Sequence, residues 1–345
     1  MIRVGVIGCG KIAQVRHLPE YHANPNVTIT ALYDANAERA QACAARYGGR
    51  VYATAEALLA ADDVDAVSIC STNLTHAPLT ILALESGKHV LCEKPMAVTI
   101  EDCEAMVAAA KRTGLQLMIG MNQRLAAAHV KAKELLDAGA IGRPVSFRTT
   151  FGHGGPETWT VDRQNIWFFD KARASMGVLA DLGIHKTDLI QHLLGQRITG
   201  VTAMLRTLDK RDAAVRPITV EDNAVCIYEM SGGIVGTMTA SWTYYGGEDN
   251  STVIYGTEGE LRLCDGGHNV TLRKHGCPDV HYDVEDIQTN DYQTRSGVID
   301  AFIDGLLDKA SATMQGEDVI CAMRAVFAAV ESSETGRHIA IEQNR

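Results

Sequence analysis

Three groups of residues in this chain have types and spacings that suit chemistry. Asp181-Leu182-Gly183-Ile184-His185 lies in a helical stretch, and an i, i+4 spacing puts a carboxylate and an imidazole on one face, within reach of a common point. Histidine is the natural group to take a hydroxyl proton while hydride leaves the same carbon. A core histidine or half a metal site are the alternatives, but no third ligand has a recognisable spacing. His192, seven residues on and beside Leu193-Leu194, reads as packing. Glu93-Lys94-Pro95 directly follows the strand-like run 89–92. A lysine at the carboxyl end of a parallel strand, between a carboxylate and a rigid proline, can hydrogen-bond a substrate hydroxyl or share in proton transfer. The plainer reading of that run is a solvated, salt-bridged turn.

The third group is Gly8-Cys9-Gly10-Lys11-Ile12-Ala13, a G-x-G-x-x-A run directly after an apolar stretch and at the start of a helical pattern. The first glycine permits a tight turn, the second lets the backbone approach a pyrophosphate, and the small third residue packs helix against strand. The helix N-terminus adds free N–H donors for phosphate. Asp34 ends the second strand-like run 21 residues beyond Ala13, where a carboxylate accepts hydrogen bonds from both ribose hydroxyls and repels a 2′-phosphate. No arginine stands at 35 or 36, so the pattern favours NAD over NADP. A glycine turn that binds nothing, or one that binds S-adenosylmethionine, is the competing reading.

To position these groups the chain needs a fold that gathers strand ends. Residues 3–7, 27–33, 66–70, 89–92 and 116–119 read as short strands, separated by helical patterns at 12–18, 37–46, 76–85 and 99–112. Pro19 is expected to interrupt the first helix, Thr54 and Thr99 to cap helices, and Gly48-Gly49, Gly87 and Gly114 to close them. Such alternation gives a parallel sheet with helices on both faces. After residue 120 the rhythm changes. A helix fits 126–138, a strand 145–151 and a long helical pattern 176–194. Strand-like runs between 201 and 272, punctuated by glycine turns, give an antiparallel meander in one mixed sheet, and helices return near 297–307 and 318–330. The fold class is therefore α/β, with a doubly wound sheet over 1–121 and a second α/β domain over 122–345. Apolar strands with few helices downstream to cover them point to a sheet face buried in a homo-oligomer.

A chain of 345 residues, 46% hydrophobic and 21% charged, suits two packed domains and excludes disorder. Thirty-two basic against 42 acidic residues leave a net charge of −10 with no dense Lys/Arg run. Nucleic acid is then a poor partner and a small molecule a good one. Nine cysteines, an odd number without a C-x-x-C pair, read as reduced thiols, with Cys70 and Cys92 as small buried hydrophobes. The first residues lack a signal-peptide layout, and no apolar run reaches the ~18–20 residues of a membrane span. The expectation is a cytoplasmic protein with no membrane partner and no metal.

Taken in order, Gly8-x-Gly10-x-Ile12-Ala13, Asp34, Ser71-Thr72-Asn73-x-x-His76, Glu93-Lys94-Pro95, Gly120-Met121-Asn122-Gln123-Arg124 and Asp181-x-Gly183-x-His185 resemble the Gfo/Idh/MocA family, named for glucose–fructose oxidoreductase and inositol dehydrogenase. The resemblance is carried by specific motifs as far as residue 195 and continues as a compatible layout. It implies a Rossmann domain, then an α/β domain whose large open, mostly antiparallel sheet makes a homodimer or homotetramer. The implied activity is hydride transfer between NAD or NADP and a secondary hydroxyl of a sugar, sugar derivative or cyclitol.

Carried over by position, Lys94 contacts substrate and nicotinamide, Asp181 orients substrate and His185 exchanges the hydroxyl proton. Gly8, Gly10, Lys11, Ile12 and Asp34 would hold the cofactor at the glycine loop. Ser71, Thr72, Asn73, His76 and Glu93 would flank its nicotinamide half, with Asn122 and Arg124 beside it. Asn122, Arg163 and Trp167 are further candidate substrate contacts, with Lys171 nearby, and Trp167 can offer a face to the C–H surface of a sugar. Relatives usually carry Thr-Pro or Pro-Asn where this chain has Ser71-Thr72-Asn73-Leu74, and a glycine cluster where it has Ala174-Ser175-Met176-Gly177. Both departures bear on pocket contour and substrate identity. No Arg/Lys cluster reads as a phosphate pocket, which favours an unphosphorylated polyol.

Two other classes compete. A non-catalytic dinucleotide-binding sensor would keep the fold without needing an acid–base set. A methyltransferase would share the glycine loop and leave Glu93-Lys94-Pro95 unexplained.

Overall fold

The computed structural model describes residues 1–163, 166–287, 293–309 and 313–342. The chain forms two compact units. The first comprises Met1–Asn122, Trp159–Val161 and the described residues of 288–320; the second comprises Gln123–Thr158 and the described residues of 162–287 and 321–345.

Six strands build the sheet of the first unit: β1 (Ile2–Ile7), β2 (Val27–Tyr33), β3 (Arg50–Val51), β4 (Ala66–Ile69), β5 (His89–Cys92) and β6 (Leu117–Ile119). They lie all parallel in the order β3-β2-β1-β4-β5-β6. All four residues of β4 and all three of β6 are buried, as parallel strands covered on both faces require. The order reverses direction between β1 and β4, and at such a point the chain leaves a crevice outside the carboxyl ends of the strands. Asn36, Thr54 and Thr99 cap the helices Ala37–Tyr47, Ala55–Leu59 and Ile100–Thr113 by accepting backbone N–H groups, and Gly114 ends the last in a left-handed turn.

Two expectations change here. Pro19 does not interrupt its helix: Ala13–His17 is a π-helical turn that runs into an α-helix, Leu18–Ala23, so the residue that lacks an N–H falls directly after a turn where the regular i→i−4 ladder is already broken. The helix after β4 begins three residues earlier than its apolar pattern, spanning Asn73–Glu85. Late in the chain, the helix Val298–Leu306 buries Ile299, Phe302 and Ile303. Ser296 N donates to the Glu20 carboxylate at 2.9 Å and Asn24 donates to Asp300 at 2.7 Å. The free edge of β6 is met by the carbonyl of Met314, 2.9 Å from Ile119 N.

The second unit holds nine strands: β7 (Pro144–Gly152), β8 (Ile198–Arg206), β9 (Asn223–Met230), β10 (Val235–Ser241), β11 (Thr252–Gly256), β12 (Gly259–Leu263), β13 (Val270–Lys274), β14 (Val280–Tyr282) and β15 (Ile339–Ala340). Their order is β14-β13-β12-β11-β7-β10-β9-β8-β15, antiparallel except for the parallel pair β7–β10, so the expected mixed sheet is present. Strand β9 alternates strictly, with Ala224, Cys226, Tyr228 and Met230 inward. Residues 176–194 are not one uniform helix: Leu179–Gly183 is a π-helical turn and Ile184–Leu194 an α-helix. Gly177 starts that segment because a β-carbon there would sit 2.0 Å from the carbonyl oxygen of Glu221. The Glu221 carboxylate accepts from Gly177 N and Leu179 N, an N-terminal cap that no local pattern announces.

Candidate active site

In the first unit the candidate residues fall at consecutive strand ends. Gly8 follows β1 with φ +93, and a β-carbon there would lie 2.6 Å from the carbonyl oxygen of Cys70, so only glycine fits. At Gly10 a β-carbon would meet nothing within 4 Å, which leaves open space over the loop backbone. Lys11 and Ile12 open the helical segment that follows. Asp34, beyond β2, accepts from Cys9 N at 2.7 Å and Asn36 N at 2.8 Å, and pairs with Arg39 at 3.4 Å. The carboxylate is thus fastened to the glycine loop, and Arg39 is a cation beside it that inspection of 35 and 36 missed.

Ser71 and Thr72 follow β4, with Thr72 as N-cap of the helix that carries buried Asn73 and His76. Both ring nitrogens of His76 face main-chain carbonyls, Pro95 O at 2.8 Å and Ser71 O at 3.2 Å. Burial lowers its pKa and favours the neutral ring. With one N–H in its neutral form, His76 donates to the nearer carbonyl, Pro95 O, and so ties the helix after β4 to the Glu93-Lys94-Pro95 turn.

Glu93 is not part of a solvated turn; its side chain is almost wholly buried. Its Oε1 accepts from Arg16 at 3.1 Å and His17 Nε2 at 2.9 Å, and its Oε2 accepts from Lys94 N at 3.2 Å. His17 Nδ1 lies 2.9 Å from the Ser68 hydroxyl, which lies 2.7 Å from the Tyr21 hydroxyl. Donation from Tyr21 to Ser68, Ser68 to His17 and His17 to Glu93 satisfies each of these atoms. Arg16 also donates to Gln293. Burial alone would raise the Glu93 carboxyl, but the His17 hydrogen bond and the Arg16 and Lys94 charges hold it well below the usual carboxylate range. Gly120, at the end of β6, makes room: a β-carbon there would press on Glu93 Oε1 at 3.1 Å. Lys94 stands beyond β5, half-buried, and Asn122 beyond β6 keeps a buried Oδ1 that accepts no hydrogen bond from the described residues.

In the second unit Asp181 sits in the π-helical turn and His185 in the α-helix after it, 6% and 7% exposed. Asp181 Oδ2 accepts from the indole of Trp242 at 3.0 Å. The His185 ring lies 6.1 Å from that of Phe151. Trp167 stacks on Phe168 at 3.9 Å, and Phe168 and Phe169 lie 6.5 and 5.9 Å from Trp242, so an aromatic group adjoins Asp181. Arg163 is exposed and donates to Thr158 O, and Lys171 is exposed. Arg124 gives a two-pronged hydrogen bond to Asp188 at 2.7 and 2.5 Å, an anchoring role that its motif did not reveal. Trp242, Arg16, His17 and Asp188 went unread in the sequence, because each is marked only by a partner distant in the chain.

The glycine loop, the open space at Gly10 and the unmet Asn122 oxygen fit a dinucleotide. Among described residues no helix is long and apolar enough to cross a membrane. Residues 2–121 match the family described as oxidoreductase family, NAD-binding Rossmann fold, and 129–262 match the GFO/IDH/MocA C-terminal domain. The chain is 29% identical to 1,5-anhydro-D-fructose reductase of Ensifer adhaerens, over 99% of each protein. It is 25% identical to myo-inositol 2-dehydrogenase of Thermotoga maritima, again over 99% of each. A solved structure of levoglucosan dehydrogenase, in complex with NADH and levoglucosan, superposes with a TM-score of 0.87 at 25% identity, covering 99% of this chain and all of that one. Both halves match in chain order, and this protein belongs to the GFO/IDH/MocA oxidoreductase family with an NAD-binding Rossmann domain.

Proposed function

We propose that this protein is a dehydrogenase of a secondary hydroxyl on an unphosphorylated sugar, sugar derivative or cyclitol, with NAD preferred over NADP. The observation that carries this reading is the pair Asp181 and His185, titratable groups four residues apart and almost wholly buried beside an aromatic group. Burial of such groups is costly and is found where chemistry needs them. The names of the relatives support the substrate class: an anhydro-sugar reductase, an inositol dehydrogenase and a levoglucosan dehydrogenase.

Held by the glycine loop, Asp34, the Ser71–Asn73 turn and Asn122, a nicotinamide dinucleotide supplies the hydride acceptor or donor. The chain does the proton chemistry. A secondary alcohol holds its proton far above neutral pH, so an imidazole at His185 takes that proton as the carbon is oxidised. Lys94 donates a hydrogen bond to the developing alkoxide. Asp181, fixed by Trp242, orients the substrate, and Trp167 faces its C–H surface. Asn122, Arg124, Lys11, Ile12, His76 and Glu93 complete the proposed cofactor side, the last two by holding the turns in place.

The test is absorbance at 340 nm during incubation with NAD and a panel of polyols. NADH formation that is abolished in His185→Ala is expected. Silence across the panel with intact NAD binding would favour a dinucleotide-binding sensor.

The same reading includes a homodimer or homotetramer through the open sheet. Met204, Val225, Ile227 and Val235 stand on its outer face at 60, 50, 47 and 47% exposure, and Met204 pairs with Val225 in register. Ile227→Glu is expected to release monomers in light scattering, and a 37 kDa parent at micromolar concentration would refute the assembly.

A further inference from the structure

The helix that carries His185 also carries a lysine that the chemistry above does not use. Lys186 is completely buried, in a run with Ile184, Leu189, Ile190 and Leu193. A buried ammonium is costly unless its donors are met. Its Nζ donates to the carbonyl of Asn250 at 2.9 Å and lies 3.5 Å from the Thr252 hydroxyl, at the start of β11. Thr252 shares a 2.7 Å hydrogen bond with Thr149 of β7. The ammonium also lies 5.9 Å from the centroid of Phe151, the ring that adjoins His185.

We infer that Lys186 is a positioning residue for His185: by fastening its helix to the β7–β11 pair and to Phe151, it fixes the direction in which the neighbouring imidazole points. The π-helical turn Leu179–Gly183 just before it lacks the regular i→i−4 ladder, so attachments after that turn must set the rotation of the helix. Three adjacent residues supply them. Lys186 reaches the sheet, Thr187 bonds Gly183 O and the Tyr228 hydroxyl at 2.8 Å each, and Asp188 takes the Arg124 fork. Lys186 also places its ammonium 5.9 Å from the centroid of Phe151, the ring beside His185. This role presupposes His185 as the proton acceptor proposed above.

Burial lowers Lys186 to about 7, against the opposing pull of Cys264, Asp249 and Glu248. His129, on the helix Ala127–Asp137, faces the same amine and is pushed down to about 3 by burial and then by that charge. The attachment is therefore strongest with the amine protonated and slackens as pH rises through about 7.

The experiment compares Lys186→Met, which keeps the length of the side chain, with the parent. Histidine NMR identifies the His185 resonance by its loss in His185→Ala and needs no substrate. Lys186→Met is expected to shift that resonance relative to the parent at the same pH. It is also expected to lower kcat by roughly 10–100-fold with KM for NAD unchanged. If no polyol is turned over, the functional reading fails while the NMR comparison still decides this one. A His185 resonance that titrates identically in both proteins overturns the inference. Should Lys186→Met fail to fold, Thr252→Val removes one of the two oxygens without changing side-chain volume. A smaller shift in the same direction supports the inference, and an unchanged resonance overturns it.

Discussion

Each unit buries a cation next to a histidine: Arg16 with His17 in the first, Lys186 with His185 in the second. The resemblance stops at the partners. Arg16 and His17 converge on one carboxylate, Glu93, and Ser68 and Tyr21 complete the chain of hydrogen bonds behind it. Among the described residues, Lys186 finds neutral oxygens, a carbonyl and a hydroxyl, as hydrogen-bond partners. A buried charge met by its opposite stays fixed across ordinary pH, whereas one met by dipoles gives up its proton readily. The first unit thus braces the Glu93-Lys94-Pro95 turn with a buried ion pair, and the second holds Lys186 on dipoles, its pKa lowered to about 7 by burial.

The strongest test of that contrast removes each histidine in turn. His185→Ala is expected to lower kcat by roughly 10²–10⁴ while NAD affinity barely moves. If His185→Ala instead melts early and turns over normally, the catalytic assignment is wrong and Lys94 is the next candidate for the base. Glu93→Gln should cost about 3–5 kcal/mol in denaturant unfolding, because it strands the Arg16 charge. A loss under about 1 kcal/mol would mean that the bracing is not electrostatic. His17→Ala should cost about 1–3 kcal/mol by leaving the Ser68 hydroxyl without its acceptor and Glu93 with one donor fewer, with the rate per folded molecule retained.

Acid and alkali should separate the two regions. The folded Glu93 carboxyl lies below its ordinary 4.5, so its contribution is present above that pH and is lost as pH falls below it. Lys186 binds its proton more tightly unfolded, so its share of stability rises with pH from about 7 to 10.5. Melting curves of Glu93→Gln and Lys186→Met should each flatten only their own window. The smallest expected effect is at the cofactor end. Parent NAD preference of about 10-fold corresponds to ~1.4 kcal/mol. Asp34→Asn should erase it by removing the repulsion and freeing Arg39, 3.4 Å away, to receive a 2′-phosphate. Equal catalytic efficiency of the parent with both cofactors would remove the argument from Asp34.

Much of this was legible in the chain because local rules governed it. Thr54, Thr99 and Gly114 act where they stand, and period-two burial along β9 follows from its own residues. What stayed hidden depends on distant partners. Arg16 and His17 look like ordinary surface residues of a helix until Glu93, more than 70 positions away, folds against them. Trp242 reaches Asp181 across 61 positions. The π-helical turns leave no periodic signature, so Pro19 looked like a breaker and 176–194 like one helix. The Asp181–His185 spacing was read on α-helical geometry and now spans a change of helix type.

The late return of the chain to the first unit has a consequence for how this protein can be taken apart. A fragment ending at Asn122 would carry every glycine-loop residue, yet it would lack the Ser296 amide on Glu20, the Asp300 carboxylate on Asn24 and the Met314 carbonyl on Ile119. It would also lay bare the surface that Ile299, Phe302 and Ile303 cover. Recombination that borrows this module must therefore take the late stretch of gene as well as the first 122 codons, and a single-crossover chimaera joined at residue 122 inherits an unfinished fold.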